Sequence, residues 1–261
     1  MSSTEIDDDH DGDGDRVSGW RSRGEPGGEM GALLLVHGVA HGSWCWSRTR
    51  AALVDRGHDV FAVDLPLTGL DDDADAVGAA LDHWGRDAVL VGHSYAGLAI
   101  SKAATGRDDV QHLVYVAAMM IDGGDVYLER MSEFPAAPLN SGVELTTGGN
   151  FVVPPETAVA CFFNECDRDD AAVAARRLRP TAVACLTVPT GAEPWASIPS
   201  TYVLCERDNA IHPDFQRWMS TRAGEVVTLD TDHSPFMSLP DRFVALLDDI
   251  ACRADAVSEA R

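Results

Sequence analysis

Val91-Gly92-His93-Ser94-Tyr95-Ala96-Gly97 stands between an apolar run, Asp87 to Val91, and a segment of helical character, Ala96 to Ala104. Strand, sharp turn and helix therefore meet at one hydroxyl, the geometry of a nucleophile elbow. Small residues two before and two after Ser94 let the backbone bend tightly and push Oγ to the tip of a strained turn. The last position of the usual G-x-S-x-G pattern is here Ala96, small enough for the same packing but without the freedom of glycine at positive φ. A serine after a glycine is by itself an ordinary turn residue. The strand before it and the helix after it point instead to acyl transfer to water with Ser94 as nucleophile.

Outward from this turn, from Ala32 onward, short apolar runs alternate with segments of helical period, which implies parallel strands joined by crossover helices. Strands are expected at 32–37, 58–64, 87–92, 110–118, 200–206 and 225–230, and helices near 44–56, 73–84, 95–105, 213–223 and 240–252. In the last helix Phe243, Leu246, Leu247 and Ile250 recur at i, i+3, i+4 and i+7, one stripe that should pack on the sheet. Between Ile121 and Pro199 the alternation fails. Prolines and glycines gather there around one helical piece, with acidic Glu165 to Asp170 at its start and Arg176, Arg177 and Arg179 at its end, as the helix dipole favours. Inserted after a strand's C-terminal end, residues 121–199 should form a mostly helical cap over the mouth of the sheet. The fold class is α/β: a mostly parallel sheet covered by helices on both faces, with residues 31–261 as one domain that carries the cap.

A serine hydroxyl needs a base, and the base needs a carboxylate to fix its tautomer and stabilise its cation. In this topology the chain order is serine, acid, histidine. Asp208 follows the apolar stretch Thr201 to Cys205 through a short polar turn, at the strand end where open α/β sheets gather their active groups. Asp122, after the stretch ending at Met120, is the competing acid. Of the nine histidines only His233 follows the last strand and lies C-terminal to both serine and acid. Two backbone N–H groups should face the developing oxyanion. One is Tyr95, at the start of the helix after the serine. The other is Val39, in the glycine-rich loop Leu35-Val36-His37-Gly38-Val39-Ala40-His41-Gly42. His37 and His41 lack further metal ligands nearby in sequence, so structural hydrogen bonding is expected of them. Met119, Phe162, Phe163 and Trp195 are the first choices for an apolar substrate pocket, with Met120, Phe236 and Met237 behind them; each is by type more often a core residue.

The 261 residues, 45% of them apolar, suffice for one sizeable core. Acidic residues number 42 against 20 basic, a net charge of −22, and Lys102 is the only lysine. Nucleic acid and anionic membranes call for basic patches, so neither is expected as a partner. The acidic excess fits a salt-adapted source and a biased genome equally. Met1 to Asp15 has neither a basic stretch nor an apolar core of a leader, and no run reaches the roughly 18 apolar residues of a membrane span, so a cytoplasmic protein is expected. Cys45, Cys161, Cys166, Cys185, Cys205 and Cys252 show no C-x-x-C pair and no matched histidine spacing, so free thiols are expected, without a zinc site or disulfide framework. Residues 1 to about 30, rich in Asp and Gly, read as a disordered acidic tail. Its Asp7-x-Asp9-x-Asp11-Gly12 opens like a calcium loop but has Ser18 where a bidentate glutamate is required.

The string Leu34-Leu35-Val36-His37-Gly38-Val39-Ala40-His41-Gly42-Ser43-Trp44-Cys45-Trp46, with Asp64-Leu65-Pro66, Gly92-His93-Ser94, Asp214-Phe215-Gln216-Arg217-Trp218 and Asp232-His233, resembles an α/β-hydrolase subgroup. That subgroup contains plant methylesterases, hydroxynitrile lyases and bacterial esterases related to pyrethroid hydrolases, and the resemblance runs from about residue 31 to 252. It implies an α/β-hydrolase fold, the Ser94, Asp208 and His233 triad and the Val39 and Tyr95 oxyanion donors, the same residues reached above. It also separates esterase from lyase. Lyase members use a threonine in the first loop and a lysine directly after the catalytic histidine, and carry an acid before the nucleophile; here those positions are Gly38, Ser234 and His93. The expected activity is hydrolysis of a small or medium carboxylic ester through an acyl-enzyme. No cofactor or metal is expected, the partner is the small-molecule ester, and the sequence leaves room for a homodimer without naming an oligomeric state. The rivals are a tailoring enzyme of the same fold, acting as a carbon–carbon hydrolase, cyclase or lyase on a natural product, and a non-catalytic ligand-binding or interaction protein.

Overall fold

The computed structural model describes residues 31–258; the expected acidic tail and its calcium-like string lie outside them. The chain runs β1 (Ala32–Val36), α1 (Ser47–Val54), β2 (Asp59–Val63), α2 (Leu70–Trp84), β3 (Ala88–His93), α3 (Ala96–Ala104) and β4 (Val110–Val116). A long insertion follows with α4 (Tyr127–Met131), β5 (Glu144–Leu145), β6 (Asn150–Val152), α5 (Pro155–Cys161), α6 (Arg168–Ala175) and β7 (Thr181–Ala182). The core then resumes with β8 (Ser200–Cys205), α7 (Pro213–Ser220), β9 (Glu225–Leu229), α8 (Pro235–Ser238) and α9 (Pro240–Ser258). Six strands form one sheet in the order β2-β1-β3-β4-β8-β9, and every neighbouring pair is parallel. All six are the strands expected from the apolar runs.

Strands buried on both faces read as continuous apolar runs, and the pleat then sends alternate residues to opposite layers. Leu33, Leu35, Val89, Val91, Val114 and Val116 face a layer closed by α1 and α9, where Phe243, Leu247 and Ile250 are fully buried and Leu246 only partly. Each such side chain contributes about 1.5–3 kcal/mol. Leu34, Val36, Leu90, Leu113 and Tyr115 face the other layer, closed by α2, α3 and α7. α2 begins at Leu70, ahead of the expected 73, because Leu70 joins the buried stripe and Asp71, Asp72 and Asp73 occupy the first turn, where the dipole favours acids. The one-turn α8 was too short to leave a period in the sequence.

The insertion is less helical than its composition suggests. Alongside α4, α5 and α6 it contains an antiparallel sheet in the order β5-β6-β7. Strands of two or three residues carry no readable alternation, so the sequence showed only the prolines and glycines around them. Among the described residues no helix is long and apolar enough to cross a membrane.

Candidate active site

Ser94 sits at φ 56, a left-handed conformation unfavourable for any residue but glycine. Strain of this kind costs about 1–3 kcal/mol and persists only when its surroundings enforce it. Here the Ser94 N–H donates to the Val116 carbonyl at 3.0 Å, and the Ser94 carbonyl accepts from Gly97 at 3.0 Å and Met119 at 2.9 Å. The turn is thus bolted to the end of β4. A Cβ on Gly97 would stand 2.3 Å from the Met119 carbonyl oxygen, so the first turn of α3 lies directly on that backbone. The position that demands glycine is therefore Gly97, one beyond the place the motif reserves for it, which is why Ala96 is accommodated.

β8 and β9 deliver the other two residues. His233 Nδ1–H donates to Asp208 Oδ2 at 2.7 Å, and both side chains are buried. Asp208 is held from every side: Oδ1 accepts the N–H groups of Ala210 at 2.6 Å and Ile211 at 2.9 Å, and Oδ2 also accepts Gln216 Nε2 at 2.7 Å. Gln216, on α7, is itself fixed, accepting the Cys205 N–H at 3.0 Å and donating to the Ile211 carbonyl at 2.9 Å. With its Nδ1 engaged by Asp208, His233 presents an Nε2 that is buried and without a hydrogen-bond partner. No hydrogen bond joins it to Ser94 Oγ, a contact that in serine hydrolases often tightens only when substrate is bound. His93 Nε2 donates to the His233 carbonyl at 2.9 Å, tying the elbow to the histidine loop. Burial keeps the His93 imidazole well below the usual histidine range, so it stays a neutral, single donor. Asp232 Oδ1 accepts the Ser234 N–H at 3.0 Å, and its Oδ2 accepts the Glu165 N–H at 2.9 Å, joining the same loop to the insertion.

In the loop after β1, His41 Nδ1 donates to the Val39 carbonyl at 2.8 Å. Burial holds its pKa down at about 3. Tyr95 begins the turn into α3, and its phenol donates to buried Asp73 at 2.6 Å, anchoring the peptide that follows the nucleophile. Val39, Ser94, Met119 and Phe162 line one cavity of about 220 Å³, closed over by Tyr127, Leu128 and other residues of the insertion. None of its lining residues is charged. Phe162 also stacks on the His233 ring, centroids 5.5 Å apart.

Two of the four first-choice pocket residues lie elsewhere. Trp195 stands edge-on to Tyr115 at 6.1 Å, and Phe163 packs behind the loop on His41 at 5.7 Å; neither lines the cavity. Phe236 lies under the site, against Trp46 at 4.7 Å and His93 at 5.0 Å. Asp122, the competing acid, is spent on the surface in a two-pronged pair with Arg222 at 2.7 and 3.0 Å, which holds its carboxyl below the usual range. Gln216 and the carbonyl bond of His93 escape a sequence reading because neither has a period or a spacing of its own. Only the strings Asp214 to Trp218 and Gly92 to Ser94 flag their neighbourhoods. Among the described residues the one grouping of three potential metal ligands is His58, Asp248 and Cys252, where the start of β2 meets α9; the histidines of the site form no such group.

The chain is similar to several known proteins. The chain is 28% identical to methyl jasmonate esterase 1 of Vitis vinifera over 250 residues, covering 84% of this chain and 95% of that one. It is 29% identical to methylesterase 7 of Arabidopsis thaliana, with the same coverage of 84% and 95%. Among solved structures, a pyrethroid hydrolase from Sphingobium faniae superimposes with a TM-score of 0.76 at 22% identity, covering 88% of this chain and 99% of that one. Polyneuridine aldehyde esterase superimposes with a TM-score of 0.72 at 22% identity over 85% and 99%. The alpha/beta hydrolase family matches residues 33–246, from the first core strand into the last helix, and the chain belongs to that family.

Proposed function

We propose that the protein is a serine hydrolase of carboxylic esters, working through an acyl-enzyme on Ser94. The observation that carries this is one convergence: a strained serine at the strand–helix turn and an oriented His233–Asp208 pair on adjoining strand ends, with the serine opening into an uncharged cavity. His233 Nε2 takes the Ser94 proton as Oγ attacks the ester carbonyl, and gives it to the departing alkoxide. Water, deprotonated by the same nitrogen, then attacks the acyl-enzyme, and the proton returns to Ser94 as the acid leaves. Asp208 stabilises the imidazolium in both halves. The Val39 and Tyr95 N–H groups face the oxyanion, each worth about 3 kcal/mol in such a role.

The relatives named as methyl jasmonate esterase and methylesterase support an ester as substrate. A cavity of about 220 Å³ without charged residues suits a small or medium neutral ester. The lyase alternative is disfavoured by shape as well as by residue type. A Cβ at Gly38 would stand 2.8 Å from Ser94 Cβ and 3.1 Å from the His93 carbonyl, leaving no room for a threonine.

A fluorophosphonate probe followed by peptide mapping tests the nucleophile. Label is expected on Ser94, and Ser94→Ala should lower p-nitrophenyl butyrate hydrolysis by about 10⁴-fold or more. Label on another serine, or hydrolysis that survives in Ser94→Ala, defeats the proposal.

A further inference from the structure

The loop that offers the Val39 N–H is gripped from outside by the insertion. Ala40, at its centre, adopts φ 61, a left-handed conformation unfavourable for alanine. The Arg179 N–H donates to the Ala40 carbonyl at 2.9 Å, and the Ala40 N–H donates to Thr181 Oγ1 at 2.9 Å, so the segment 179–181 holds both sides of the strained residue. The Arg179 guanidinium extends the grip. Its Nε donates to the His41 carbonyl at 2.8 Å, and its Nη2 donates to the Leu65 carbonyl at 2.6 Å and lies 3.2 Å from His37 Nε2. His37 Nε2 also accepts the Leu65 N–H at 3.0 Å and so faces two donors, that amide and the Arg179 guanidinium, with Asp64 Oδ1 at 3.3 Å beside them; the two donors assign it the acceptor role. The proton is therefore on Nδ1, which donates to the Gly38 carbonyl at 2.9 Å. That carbonyl and the Val39 N–H are the two ends of one peptide group. A hydrogen bond at the carbonyl end fixes the plane of the peptide and polarises it, making its N–H the better donor. Asp64 Oδ1 closes the network, accepting the Ser43 N–H at 2.9 Å and lying 3.4 Å from Arg179 Nη2.

We propose that Arg179 is a positioning residue for ester hydrolysis. From the insertion it holds His37 and, through His37, the Gly38–Val39 peptide in the orientation that stabilises the oxyanion, so that turnover at Ser94 requires the segment 179–181 to be seated on the loop. The proposal rests on Val39 as an oxyanion donor in the function proposed above. Arg179 does not line the cavity, so its loss should fall on kcat and spare KM.

The test uses the full chain, p-nitrophenyl butyrate, and an alkyl trifluoromethyl ketone that Ser94 Oγ adds to, with its proton going to His233, to give a hemiketal oxyanion. Arg179→Ala should lower kcat by about ten- to a hundredfold with KM changed by less than about threefold, and weaken the ketone by the same factor as kcat. Guanidinium at low millimolar concentration should restore part of kcat. Arg179→Lys keeps the charge but donates from a single point and cannot serve two carbonyls and His37 Nε2 together, so its kcat should fall between the two. If Arg179→Ala fails to fold, the lysine variant decides by the same kcat and ketone measurements. A kcat within about twofold of the unmodified protein in Arg179→Ala or, where that variant does not fold, in Arg179→Lys, or a loss confined to KM, overturns the proposal. Ser94→Ala run alongside keeps the two claims apart: surviving hydrolysis there defeats the nucleophile, whereas its loss beside unaffected Arg179 variants defeats only the positioning role.

Discussion

At the scale of single residues, the pairing of Asp208 with His233 and of Asp122 with Arg222 gives opposite expectations for two carboxylates on neighbouring strand ends. Asp208→Asn should lower kcat by roughly a hundredfold to ten-thousandfold, because the imidazole loses its tautomer control and its counter-charge. Asp122→Asn should leave kcat within about twofold and cost at most about 1 kcal/mol of stability, the worth of an exposed ion pair. Steady-state kinetics on both variants checks this, and the reverse order of damage would move the acid to the earlier strand. Ser234 offers a second test. It is fully buried and its Oγ has no partner, so Ser234→Lys would bury an unpaired ammonium and should lower the urea midpoint markedly without creating cyanohydrin cleavage. Ser94, Asp208 and His233 could be picked out as candidates because each follows an apolar strand within a few residues, and the structure brings Asp208 and His233 into hydrogen-bond contact. Trp195 and Phe163 were misplaced because bulk and apolarity say that a side chain is buried, not which wall it faces.

The elements show a different limit of legibility. The six core strands have five to seven residues each, the inner four, β1, β3, β4 and β8, largely buried and the two at the edges, β2 and β9, only partly, and sequence and structure agree on all six. β5, β6 and β7 have two or three residues each and are held by pairing with one another, information that no local window contains. The contact between α3 and the backbone after β4 belongs to this scale as well. Alanine is intrinsically the better helix former, yet Gly97→Ala would drive a methyl group into the Met119 carbonyl, 2.3 Å away. The clash should outweigh the propensity gain of about 1 kcal/mol and destabilise the fold by about 1–3 kcal/mol net. It should also disturb the Ser94 turn that shares the Met119 contact. Urea unfolding with parallel ester kinetics measures both, and a variant as stable as the parent would show that α3 can shift without cost.

For the molecule as a whole, burial of neutral histidines ties stability to pH. Burial is the main cause holding His41 at about 3 and His112 at about 4, and it takes His93 well below the ordinary value. In the unfolded chain each takes up a proton near pH 6.5. Each folded pKa is the lower one, so the unfolded state binds more protons as pH falls from about 7 to 5, and stability is present above the unfolded pKa and lost below it. The slope should approach about 1.4 kcal/mol per pH unit for each histidine. His112→Gln, away from the catalytic loops, should flatten it by up to one proton in urea titrations at pH 7.5 and 5; an unchanged slope would mean that His112 charges freely in the folded state. The uncharged cavity has a consequence at this same scale, in the direction of the reaction. An ester enters neutral, but hydrolysis leaves a carboxylic acid that ionises at neutral pH, and the walls around it supply no counter-ion. Beyond the oxyanion donors nothing in such surroundings offsets the desolvation of a carboxylate, so the acid leaves readily once it ionises, whereas a neutral alcohol that re-enters the cavity meets no such penalty. Product inhibition should therefore come mainly from the alcohol, and resynthesis of the ester should be negligible until the medium is acidic enough to keep the acid uncharged.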